Sequence, residues 1–139
     1  MDLVRIAWCF LSPRGRLTRQ EFLLAYVLLV VIDSLAVHLA VTSTPVAVGS
    51  AYEIGEPQGS ALGLFLLATA WPSCAIQWKR LQDIGWPGFL VLPAGFAAVG
   101  LMAVNVWLGL LALVVIVVGL AGVKGQSADN RYGRDPRAV

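Results

Sequence analysis

Charge is scarce in this chain. Aspartate, glutamate, lysine and arginine make up 13% of its 139 residues, about half the ~25% of an ordinary soluble domain, which leaves too little polar surface to clothe a water-soluble globule. Histidine occurs once and cysteine twice. A metal centre needs clustered imidazoles and thiols, and His38, Cys9 and Cys74 stand far apart. Cys74 falls in an apolar block and Cys9 on the side expected to be cytoplasmic, so no disulfide is predicted either. No nucleophile–base pair and no glycine pattern with P-loop spacing is present. The chain is therefore expected not to be an enzyme, with no catalytic residue, cofactor or metal. Zinc-finger, basic-zipper and single-strand-binding patterns are also missing, which argues against nucleic acid as a partner. The N-terminus puts its short apolar run before its arginines, the reverse of a cleavable signal, so the first span is expected to act as an uncleaved anchor.

What the chain has instead is apolar length. The hydrophobic fraction is 58% and the mean hydropathy +0.78, and the apolar residues come in blocks. Residues 3–11, LVRIAWCFL, are too few to span a bilayer and precede Ser12-Pro13, which predicts a short interfacial helix with Trp8 at headgroup depth. Thr18-Arg19-Gln20-Glu21 fits the S/T-x-x-E capping box and predicts a helix start. The first span follows over 22–41, which at ~1.5 Å per residue covers ~30 Å, the thickness of a hydrocarbon core. A loop over 42–60 leads to a second span at 61–77 with Pro72 inside it, then to a short charged loop, WKRLQDIGWPG, at 78–88. From 86 to 123 there is no charged side chain. One straight helix of that length would reach ~57 Å, nearly twice the core thickness, so the segment must fold back. Asn105 sets the turn at 104–108, giving spans over 87–104 and 107–123 and a tail over 124–139.

Charge placement tests this arrangement. Arg5, Arg14, Arg16 and Arg19 precede the first span, Lys79 and Arg80 lie between the second and third, and Lys124, Arg131, Arg134 and Arg137 follow the fourth. These are all ten basic residues, and four spans put them on one side, which the positive-inside rule makes cytoplasmic. The expected fold is an all-α polytopic membrane protein: four transmembrane helices as two hairpins, an interfacial N-terminal helix, and both termini in the cytoplasm.

Three stretches on that side, RGRLTRQEF, KRLQDIG and GQSADNRYGRDP, together resemble the bacterial inner-membrane family known as domain-of-unknown-function family 805. The matching residues are Gly15, Arg16, Arg19, Glu21 and Phe22, then Arg80, Leu81, Asp83, Ile84 and Gly85, then Asn130, Tyr132, Gly133, Asp135 and Pro136. The resemblance covers essentially the whole chain and implies a small four-span inner-membrane protein without an assigned chemistry. The chain departs from the family pattern at Gln82, where histidine is common, at Lys79, where the first of two arginines is usual, and at Arg134, where proline is common.

Two groups of residues are candidate sites. Arg16, Arg19 and Arg80 face Glu21, Asp83 and Asp135 in a cytoplasmic motif set completed by Asn130, and arginine's planar fork suits both ion pairs and lipid phosphates. Asp33 stands mid-span, where a carboxylate costs about 2.5–3.5 kcal/mol, with Tyr26 on the same helical face. It is expected to bond Asn105, a tyrosine or a backbone carbonyl freed near Pro72 or Pro93, to contact a neighbouring subunit, or else to couple protons or cations. Gly59-x-x-x-Gly63, Ala94-x-x-x-Ala98 and Gly119 with Gly122 are candidates for close helix approach. The functional expectation is an accessory or scaffold subunit of a larger membrane-protein complex or homo-oligomer, binding anionic lipid headgroups. The competing expectation is a homo-oligomeric small transporter or channel that uses Asp33.

Overall fold

The computed structural model describes residues 3–42 and 56–137; most of the expected 42–60 loop lies outside them. Helix α1 is Leu3–Leu11, α2 Arg19–Thr42, α3 Glu56–Ile84, α4 Val91–Val104 and α5 Val106–Gly122, with one 3-10 turn at Gly88–Leu90 before α4. No β-strand occurs among the described residues.

The start of α2 is set locally. The Glu21 amide donates to Thr18 Oγ1 (3.3 Å), and the Thr18 amide donates back to Glu21 Oε2 (3.1 Å), the reciprocal exchange of a capping box. Beyond it Phe22, Ala25 and Leu29 are buried at helical spacing and meet Ile76 of α3, Ala121 of α5 and Cys9 of α1. Tyr26 packs its ring against Phe22 at 5.8 Å. The rest of the helix surface is apolar and turned outward, as Leu24, Val27, Leu28, Leu64 and Leu67 show. Two stretches, Arg19–Ala40 and Ser60–Ile84, are long and apolar enough to cross a membrane, and within an apolar 18-residue window of each 17% is buried inside the chain. A soluble core helix of that composition hides its apolar face. Helices α4 and α5 are apolar but shorter.

Helix α3 differs from the sequence expectation. The stretch 78–84, read as a charged loop, continues the helix to Ile84. Lys, Arg, Leu and Gln are good helix formers, and the buried face does not change direction at the charges. Ala75 and Ile76 lead straight into Lys79, Arg80 and Asp83, all at most 1% exposed. The helix ends at Gly85, whose φ of 94° is open to glycine. There the Gly85 amide donates to Gln82 O and the Trp86 amide to Leu81 O (2.9 Å), the paired bonds of a Schellman motif.

The charge-free segment folds back at Asn105, whose extended backbone separates α4 from α5 and whose side chain accepts from the Trp107 and Leu108 amides. No hydrogen bond joins Asn105 to Asp33 among the described residues; the Asn105 side chain is turned to the start of α5 instead. Close packing of the hairpin depends on Gly109, where a Cβ would stand 2.7 Å from Met102 N and 2.8 Å from Met102 Cα. By contrast Gly63, Gly119 and Gly122 have nothing within 4 Å, so the close approach expected of them does not occur within the chain. Alanine for glycine ordinarily favours a helix by about 1 kcal/mol. Gly100→Ala, also in open space, is expected to follow that rule, whereas Gly109→Ala should lose about 1–3 kcal/mol to overpacking. Thermal unfolding of the two variants in micelles checks the opposite signs.

Candidate functional site

The end of α3 is where distant parts of the chain meet. Asp83 is fully buried, and its carboxylate receives three guanidinium groups. Arg16, from the linker before α2, donates through Nε at 3.1 Å and stands with Nη2 at 3.0 Å from the same oxygen. Arg80, one turn earlier on α3, donates to the other oxygen, as does Arg137 from the C-terminal tail at 3.0 Å. Arg137 also pairs with Asp135 at 3.2 Å. Three cations thus face two carboxylates, leaving one positive charge. A buried charge without partners costs several kcal/mol, so such a hub holds only if its hydrogen-bonding capacity is filled.

Backbone carbonyls fill it. Arg80 Nε donates to Leu120 O (2.9 Å), its Nη2 to Val123 O and its Nη1 to Leu17 O (3.4 Å). The first two belong to the last turn and C-cap of α5, where carbonyls lack helical partners and a cation is favourable. Arg16 Nη1 donates to Ala128 O (2.7 Å) and Nη2 to Gln126 O. Arg16 and Arg80 side chains are 1% and 0% exposed, so of the two uses expected of them the geometry is that of ion pairing. Gly125 gives Asp83 its room: a Cβ there would fall 2.5 Å from Asp83 Cγ and 2.6 Å from Arg137 Nη2.

Neighbouring residues repeat the pattern. Lys79 Nζ donates to Trp8 O and Cys9 O, both at 2.6 Å, at the end of α1, and stands 4.1 Å from the centre of the Trp8 ring. Two successive residues of α3 therefore cap the C-terminal ends of two other helices. Oriented to suit its neighbours, the Gln82 amide donates to Gly15 O (2.7 Å) and accepts from Trp78 Nε1 (2.9 Å). Asn130 Nδ2 donates to Gln82 O at 3.0 Å, and its Oδ1 turns the tail by accepting from the Tyr132 amide.

Of the residues singled out in the sequence, Arg16, Arg80 and Asp83 come together directly, and Asn130 and Asp135 hold the tail beside them. Arg19 is exposed on the first turn of α2, and Glu21 serves the capping box. Arg137, Lys79 and Gln126 were missed. Neither Lys79 nor Arg137 had a local signal: Lys79 falls in the stretch read as a charged loop, and only the folded tail brings Arg137 to Asp83. Asp33 lies well away along α2; its Oδ1 is buried with no hydrogen-bond partner among the described residues. No three His, Cys, Asp or Glu side chains converge as a metal site requires among the described residues.

Arg16, Arg80 and Asp83 of the hub come from the stretches on which the family resemblance rests, while Arg137 and the α5 carbonyls of Leu120 and Val123 lie outside them. Residues 10–134 match the family described as protein of unknown function, DUF805, and the chain belongs to that family. No curated protein and no solved structure matches the chain.

Proposed function

We propose that this chain is a non-enzymatic integral protein of the bacterial inner membrane. It crosses the membrane four times with both termini in the cytoplasm, and serves as an accessory or scaffold subunit that packs against other membrane proteins and binds anionic lipid. The observation that carries this reading is the contrast between its two surfaces. The polar groups of the hub are consumed internally, so they hold the chain's own ends together, while the long helices turn large apolar side chains outward beyond their buried face. The start of α2 and the ends of α3 and α5 meet at Arg80, which supports placing every basic segment on one side. An outward apolar surface is what lipid and neighbouring helices both require. Native mass spectrometry of the protein extracted gently from its own membrane tests the subunit role: a larger complex is expected, and a chain that always emerges alone would overturn it.

A second reading rests on Asp33. An unpartnered carboxyl oxygen in a membrane helix marks ion pathways and proton relays. If Asp33 couples transport, Asp33→Asn should abolish proton-linked flux in liposomes while assembly survives; loss of assembly with no flux in the wild type rejects coupling.

A further inference from the structure

An apolar groove lies open beside the hub. It lies between the end of α3 and α5, lined by Leu81, Ile84 and Trp86 on one side and Ile116, Gly119 and Leu120 on the other, with a volume of about 380 Å³. A hollow of about 150 Å³ shares Trp86 and Ile116 and extends toward Ala94 of α4. We propose that this groove seats one acyl chain of an anionic phospholipid whose headgroup lies against Lys124. The inference rests on the membrane reading above and names the place and class of the lipid.

Four observations select this occupant. The lining is apolar, so it takes hydrocarbon. Charge complementarity selects the headgroup: Val123 lines the groove, and the next residue, Lys124, is exposed. Trp86, 60% exposed, is the residue type that membranes hold at headgroup level. Finally, Gly119 has no packing reason within the chain, since a Cβ there meets nothing within 4 Å, although glycine inside a helix is less favourable than alanine. Its missing side chain widens the groove.

The test is native mass spectrometry of the full chain in detergent, titrated with phosphatidylglycerol and with phosphatidylcholine. The wild type should hold one phosphatidylglycerol with ~fivefold preference over phosphatidylcholine, the effect of one lysine near an anionic headgroup. Gly119→Phe should lose that lipid with helix content unchanged by circular dichroism. Gly122→Phe, also in open space but outside the groove, should keep it. Lys124→Gln should keep a lipid but lose the preference, and it decides the matter if Gly119→Phe does not fold. Equal retention of the two lipids by the wild type, unchanged retention in Gly119→Phe, or an unchanged preference in Lys124→Gln overturns the proposal. So does a Gly119→Phe chain that alters the number of copies or partners while its lipid stays. An alkaline carbonate wash of the membranes separates the two claims: a chain that stays in the pellet keeps the membrane reading even if the lipid site fails, and a chain that washes off sinks that reading itself.

Discussion

Asp83→Ala is expected to destabilise the protein by about 3–5 kcal/mol, the cost of removing one member from a buried ionic group. The carboxylate is the shared counter-charge for Arg16, Arg80 and Arg137, two of which have no exposure to solvent that could screen them. Its loss leaves cations facing one another across a buried space. Asp83→Asn keeps the shape but removes the charge and adds donors where only acceptors are wanted, so it should recover little. Thermal unfolding in micelles gives the comparison, and an Asp83→Ala chain as stable as the wild type would mean that the hub contributes nothing. An Asp135→Ala change should be milder, because its partner Arg137 is 38% exposed and still reaches Asp83 at 3.0 Å.

Arg80→Lys is expected to fail as a conservative change. Lysine keeps the charge but replaces a planar five-donor fork by a compact ammonium with three donors. Arg80 spreads its donors over Asp83 and the carbonyls of Leu17, Leu120 and Val123, directions one ammonium cannot serve together. Each buried carbonyl left without a donor costs about 1–3 kcal/mol. The loss should concentrate where α5 ends, so trypsin should cut after Lys124 sooner in Arg80→Lys than in the wild type, before the rest of the chain becomes sensitive. Uniform sensitivity, or none, would show that Arg80 does not fasten α5. Lys79→Arg gives the complementary case, since a bulkier planar head does not fit over Trp8 with both α1 carbonyls 2.6 Å away.

The contrast between Arg80 and Thr18 shows which parts of this architecture can be read from sequence. Thr18 and Glu21 act across one turn of helix, and Asn105 is the only strongly polar residue in a long uncharged run, so both helix starts were legible. Family membership was legible too, because its three stretches keep their order and spacing. The extent of α3 was not: a string containing Lys79, Arg80, Gln82 and Asp83 reads as a solvated loop. It becomes a buried helical face only when carbonyls from α1, α5 and the linker before α2 arrive to receive it. Arg16 lies 67 positions from Asp83 and Arg137 lies 54, and no local pattern encodes such a meeting. Asp33 illustrates the same limit: Asn105, one of the partners expected for it, turns its side chain to the start of α5 and makes no bond to it among the described residues.

The linker before α2 and the tail after α5 lie together, and the proposed topology puts both at the cytoplasmic end of a four-span bundle. Single cysteines at Ser12 and at the exposed Ser127, labelled with a membrane-impermeant maleimide in right-side-out and inverted vesicles, test it most directly. The account predicts that both positions label in inverted vesicles and neither in right-side-out ones, above the signal of the wild-type chain. Labelling of one position from each side would contradict it, because Arg16 could not then reach Asp83 and Gln126 across a bilayer.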